Sequence, residues 1–414
     1  MMELHPHDIA HGGEAVARHD GKAYFIPGAM PGEVVTATVV EDKGSWARTS
    51  LVSVIAESPA RRTPPCPHAS DCGGCQWQFA VEEEQRRWKR STVIGQLEHL
   101  GKIDTPLVHE TVAAGPDLGY RNRMDFRVVD GSPALFRQRS NDLVPLGECL
   151  LMVPELQEVF SRLGDLTGVE RITLRAGTNT GSVIAVVEGD LPDQIDTWGI
   201  TVVHRTDRGI QTVIGNDVLT EIIDGVTFTI PSDGFFQNNT DGAEALVRLV
   251  GDALDVEPHE TLLDGYCGVG LFGATVGRSC GRVVGIDSTP GAVKYARMNL
   301  ANAGIDHHVI AGSFTKDIEA LDEYWDVAVV DPPRKGLGAR GVEAVTAAMP
   351  RRIAYVACDP ASLARDARTL SEYGYEFVEA TPVDMFPQTY HIEIVARFDR
   401  LQLDDDDASD RDDS

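Results

Sequence analysis

A chain of 414 residues is long enough for two or three domains, and its charge of −27 does not decide for or against a nucleic-acid partner. Of 37 basic residues 30 are Arg, the side chain suited to phosphate forks and base stacking, although a GC-rich coding bias explains that excess equally well. Seven of the acidic residues crowd into the terminal segment DDDDASDRDDS, which is expected to be disordered. No apolar run approaches the ~20 residues that span a bilayer, and residues 1 to 32 lack the apolar centre of a secretory signal, so no membrane and a cytoplasmic location are expected.

Residues 1–59 alternate short β-like runs (AYFIPG, EVVTATVVE, ARTSLVSVIAES) with Gly-rich turns, a pattern that predicts a small all-β barrel. Barrels of this size serve many functions. Next comes RRTPPCPHASDCGGCQWQ, where Cys66, Cys72 and Cys75 share a loop made tight by Pro64, Pro65, Gly73 and Gly74. Seven Cys in a reducing compartment are read for metal or catalysis before disulfides. Three clustered thiolates call for a fourth ligand. Cys149 is the remaining Cys of the first half, and His68 could instead complete a zinc site, so the spacing alone leaves the metal open.

From Val81 the chain reads as a helix with Val93, Leu97 and Leu100 on its apolar side. The segment YRNRMDFRVVDGSPALFRQRS alternates like an antiparallel sheet. Its Arg121, Arg123, Arg127, Arg137 and Arg139 form either an RNA-facing strand pair or a solvated face. Strand-like runs continue to about residue 230, giving a central α+β domain over 60–235. In PSDGFFQNNTDGAEALVRLVGDAL a helix is expected near Thr240, with N-cap chemistry from Thr240 and Asp241. Phe235, Phe236 and Gln237 precede it, placed either to pack or to meet a ligand.

Residues 236–400 read strand, glycine loop, helix, strand. Gly268-x-Gly270-x-x-Gly273 has the form of a dinucleotide loop, and Asp287 closes the next strand where a carboxylate holds ribose hydroxyls. Two further apolar runs end in Asp331 and Cys358, and a third begins at Glu393. A Cys ending a buried strand is more often core than nucleophile, and Cys267 and Cys280 are assigned to the core. For Glu393 the bland alternative is a surface carboxylate on an edge strand.

The motifs Asp264-Gly265-Tyr266-Cys267-Gly268, Asp331-Pro332-Pro333-Arg334-Lys335-Gly336, Cys358-Asp359-Pro360-Ala361-Ser362 and Phe386-Pro387-Gln388-Thr389-Tyr390-His391-Ile392-Glu393, with Phe236-Gln237-x-Asn239, closely resemble the RNA uracil-C5 methyltransferase family. The likeness covers the chain except residues 401–414. Its N-terminal segment resembles the TRAM domain, an OB-like RNA-binding barrel, and the Cys loop resembles the family's [4Fe-4S] loop. The resemblance implies a multidomain α/β enzyme with a TRAM barrel, an α+β domain carrying the cluster on Cys66, Cys72, Cys75 and Cys149, and a Rossmann-like class I methyltransferase domain. It implies S-adenosylmethionine as methyl donor, Cys358 as nucleophile at uracil C6 and Glu393 as the base that removes the C5 proton. Gln237, Tyr266, Gly268, Gly270, Asp287 and Asp331 would hold donor or uracil. A monomer is expected, acting on ribosomal RNA first and transfer RNA second. Cytosine C5 methylation and a non-catalytic RNA-binding protein are the competing readings. Asp359, Asp287 and Leu271 depart from residues common in the family, Asn, Glu and Asn respectively.

Overall fold

A computed structural model describes residues 1–401; the segment 402–414, with the expected disordered tail, lies outside the described residues. Among the described residues no helix is long and apolar enough to cross a membrane.

The N-terminal strands Met2–Leu4, Asp8–Ile9, Ala15–His19, Lys22–Ile26, Val34–Asp42 and Trp46–Ala56 form one six-stranded sheet. Alternation buries Ala15, Ala17, Ile26, Val35 and Ala37 on one face, and Trp77 and Trp88 cover that face from the next segment, edge to face at 5.1 Å. A seven-stranded, largely antiparallel sheet follows between Arg123 and Ile214, with helix Pro154–Arg162 on its apolar side.

The C-terminal sheet has eight strands: β1 (Val112–Ala113), β2 (Thr261–Gly265), β3 (Arg282–Asp287), β4 (His307–Ala311), β5 (Val327–Val330), β6 (Arg352–Ala357), β7 (Tyr375–Asp384) and β8 (Glu393–Arg400). Their order is β4-β3-β2-β5-β6-β8-β7-β1, with β2 to β6 parallel and β8 antiparallel to both its neighbours. Successive residues face opposite sides, Leu262 and Val329 one core, Leu263 and Val330 the other. Helices on both faces make this a Rossmann-like methyltransferase fold, and the strand order reverses between β2 and β5, where such sheets open a ligand crevice at the carboxyl ends.

Two features differ from the sequence expectation. Helix α1 (Glu82–His99) and β1, assigned above to the central domain, pack on the C-terminal sheet. Val93, Leu97 and Val108 share a core with Leu363, Ala364 and Ala367 of the helix Pro360–Glu372. Leu100 caps α1 and is 39% exposed, while the buried stripe runs the other way through Lys89 and Gln85, polar residues that an apolar periodicity does not count.

Candidate active site

Cys358 is the first residue past β6, and Asp359 caps the helix Pro360–Glu372 by accepting the Ser362 N–H at 2.7 Å. The β6–β8 ladder pairs Ala357 with Ile394, so its next step sets Cys358 across from Glu393. Strand β8 is interior to the sheet, and Glu393 is buried; the edge-strand alternative does not hold. Asp331 follows β5 and donates its N–H to the Gly265 carbonyl at 3.2 Å, which joins the end of β5 to the end of β2.

The electrostatics bind these groups into one cluster. Burial, with Asp331 adding, raises the Glu393 carboxyl well above the usual carboxylate range. Asp331 is pushed up to about 7 by burial and by Asp264. Burial and the Glu393 and Asp331 carboxyls push the Cys358 thiol up to about 12, while the Arg334 guanidinium pulls both Cys358 and Glu393 back. Arg334 lies 3.4 Å from His391 Nδ1, and burial together with the Arg334 charge pushes His391 down to about 4, leaving its ring neutral.

The glycine loop lies at the ends of β2 and β3. Gly268 and Gly270 have φ of +53° and +87°, which L side chains rarely adopt, and Tyr266 is forced to +64°. Asp287 Oδ2 accepts the Gly268 N–H at 3.1 Å and Oδ1 the Thr289 N–H at 2.8 Å. Asp264, held by the Gly273 N–H at 2.8 Å, is pushed up to about 7 by burial. Tyr266 stacks on Phe314 with centroids 4.7 Å apart. Leu271 is in the core, on the opposite footing from a polar donor contact.

Gln237 is buried ahead of helix α2 (Thr240–Leu254). The N-cap is Asn239, not Thr240 or Asp241: its Oδ1 accepts the Gly242 N–H at 3.1 Å, and its extended backbone suits that position better than a residue already helical. Asn239 Nδ2 reaches the Met385 carbonyl at 3.0 Å, so the Gln237 loop and the loop leading to Glu393 meet. Of the aromatic pair, Phe236 packs in the core against Phe228 and Phe235 is 63% exposed. Three of the five arginines of the basic stretch are paired, Arg123 with Asp125, Arg137 with Asp71 and Arg139 with Glu14.

The four cysteines of the first half are brought together away from Cys358. Cys66, Cys72, Cys75 and Cys149 line one pocket of about 160 Å³, with His68 and Arg121 also on its wall. Burial pushes Cys75 up to about 12 and raises Cys72 and Cys149 in the same direction. Among the described residues no three His, Cys, Asp or Glu side chains are gathered so as to hold a single metal ion.

Residues 190–400 match the family model described as tRNA (uracil-5-)-methyltransferase. An uncharacterized RNA methyltransferase of Gloeobacter violaceus is 34% identical over 95% of this chain and 95% of its own, and one of Streptomyces avermitilis is 34% identical over 95% and 96%. The chain belongs to the RNA uracil-C5 methyltransferase family. It is an RNA (uracil-C5)-methyltransferase that uses S-adenosylmethionine. The crystal structure of the Pyrococcus abyssi tRNA (uracil-54, C5)-methyltransferase with S-adenosyl-L-homocysteine superposes with a TM-score of 0.78 at 26% identity, covering 96% of this chain and all of that one.

Several residues of this methyltransferase site were not singled out from sequence. Arg334 and His391 stand inside the quoted motifs, yet their pairing joins a loop after β5 to one before β8. Phe314, which stacks on Tyr266, stands in no motif. His11, whose Nε2 is 3.2 Å from Asp359 Oδ2, comes from the N-terminal sheet, and only the fold brings it beside Cys358.

Proposed function

We propose that methylation at uracil C5 proceeds through a covalent adduct between Cys358 and C6, with Glu393 as the releasing base. The observation that carries this reading is the β6–β8 register, whose next step sets a thiol and a buried carboxyl opposite each other at the carboxyl end of β6. C5 of uracil is a poor nucleophile, and addition of the Cys358 thiolate at C6 makes it an enolate carbon. S-adenosylmethionine supplies the electrophilic methyl group. Glu393 then takes the C5 proton; the C–H electron pair restores the C5–C6 double bond and expels the thiolate. A carboxyl whose proton affinity burial has raised is suited to that removal, and Arg334 holds negative charge in check on both partners. Asp287 and the Gly268–Gly270 turn would take the donor's adenosine, with Tyr266, while Asp331 and Gln237 would meet donor or uracil. The target base has to leave its stack to reach Cys358.

Cys66, Cys72, Cys75 and Cys149 would hold a [4Fe-4S] cluster. Four thiols around one pocket supply the four thiolates that such a cluster takes. When bound, such a cluster cross-links its loop and adds a redox-active centre. Anaerobically purified protein should contain about four iron and four sulfide per chain; stoichiometric zinc would contradict the assignment. The N-terminal sheet is read as a TRAM-like RNA-binding barrel over 1–59, and the central domain of 60–235 lends α1 and β1 to the methyltransferase domain of 236–400.

Ribosomal RNA is the first reading of the substrate, and the likeness over 96% of this chain to a structure named as a tRNA (uracil-54, C5)-methyltransferase supports transfer RNA as the second. Total RNA from a deletion strain, incubated with the protein and labelled donor, should gain label as 5-methyluridine at one mapped position in one of these RNAs. Label in 5-methylcytidine, or none, contradicts the proposal.

A further inference from the structure

The loop between β7 and β8 is gripped through four successive carbonyls, each by a different part of the chain. Met385 O accepts from Asn239 Nδ2, Phe386 O from Lys89 Nζ and Pro387 O from the Tyr120 hydroxyl, each at 3.0 Å. Gln388 O accepts two backbone N–H groups, those of Gln76 and Trp77, both at 3.0 Å. Gln76 directly follows Cys75 of the four-Cys pocket.

Gln388 is the most constrained residue of the four. It is fully buried, and its φ of +70° is one that a non-glycine residue holds only when its surroundings impose it. Its backbone N–H donates to Gln85 Oε1 at 2.9 Å. Its side-chain Oε1 accepts from Arg62 at 3.1 Å and from Gln85 at 3.0 Å, and its Nε2 donates to Glu82 Oε1 at 3.1 Å. Two residues on, Tyr390 lies so close to Gly13 that a Cβ there would come within 2.7 Å; three on is His391, and five on is Glu393.

We propose that Gln388 is a positioning residue through which the Cys66–Cys75 loop sets the place of Glu393, so that disturbing either one slows release of the product more than formation of the adduct. The inference rests on the assignment of Glu393 as the releasing base. Addition at C6 depends on Cys358, just past β6 and outside the gripped loop; proton removal depends on Glu393, which opens β8 directly after that loop.

The test incubates wild type, Gln388→Met, Gln388→Gly, Cys75→Ser and Glu393→Gln with methyl-labelled donor and total RNA from a deletion strain, and compares label trapped on protein in a denaturing gel with label released in RNA. Gln388→Gly keeps the turn without strain and guards against a folding failure of Gln388→Met. A merely destabilised variant loses both signals in proportion. Both Gln388 variants and Cys75→Ser should raise the ratio of trapped to released label by about tenfold, the scale of a small misplacement of a catalytic group, with iron content unchanged in the Gln388 variants. A wild-type ratio in the Gln388 variants, or loss of both signals, overturns the inference while a raised ratio in Glu393→Gln leaves the base assignment standing. If Glu393→Gln itself shows no rise, the base assignment fails and the inference falls with it.

Discussion

Cys358 and Glu393 were legible as single residues because each stands at the edge of an apolar run inside a motif with little other use for it. The resemblance pairs them as nucleophile and base, but the register that sets them opposite each other was not legible, because it depends on β8 threading antiparallel between β6 and β7. What surrounds them is costly: Asp264, Asp331 and Glu393 are carboxyls that burial drives toward the protonated form. A carboxyl whose folded-state value is raised contributes its stability in full below its unfolded value of 3.8, and that contribution is lost as pH rises through about 7 for Asp331. Asp331→Asn removes the loss. The ligand-free variant should therefore melt above wild type at pH 8, by on the order of 1 kcal/mol, and show no such gain at pH 4, while its methylation falls. A thermal melt at both pH values checks this; equal gains at both would show that the carboxyl is not the source.

At the scale of elements, the periodic segments were found and their partners were not. Helix α1 was visible, but its attachment to the C-terminal sheet runs through Lys89, whose Nζ meets Asp384 Oδ1 at 2.5 Å with both side chains buried. A lysine in a helix reads as surface, and only the fold shows the carboxylate 295 residues away. Burial lowers the Lys89 pKa and Asp384 opposes that shift, so the pair survives by mutual neutralisation. Lys89→Met should destabilise the protein by about 3–5 kcal/mol, since Asp384 would be left buried and uncompensated, and Lys89→Met with Asp384→Leu should recover much of the loss. Denaturant unfolding of the two variants distinguishes a buried ion pair from a simple packing defect, in which the double variant would be the worse. The cap of α2 shows the same limit in miniature: Thr240, Asp241 and Asn239 are all capping residues by type, and the backbone geometry selects Asn239.

For the whole molecule, three modules converge on the loops that flank Cys358 and Glu393. The N-terminal sheet reaches the site through His11 at Asp359 and Gly13 at Tyr390, the four-Cys loop through Gln76 and Trp77, and α1 through Lys89. Composition and motifs indicated that these modules exist, but not that they meet, because sequence separation hides contacts made by tertiary packing. The proposed reaction rests on one thiol and one carboxyl, and the most direct test addresses them together. Glu393→Gln, incubated with methyl-labelled donor and RNA lacking the modification, should leave label on a protein band that resists denaturation, and Cys358→Ala should leave none. An adduct in Cys358→Ala, or free turnover to 5-methyluridine in that variant, would contradict the account.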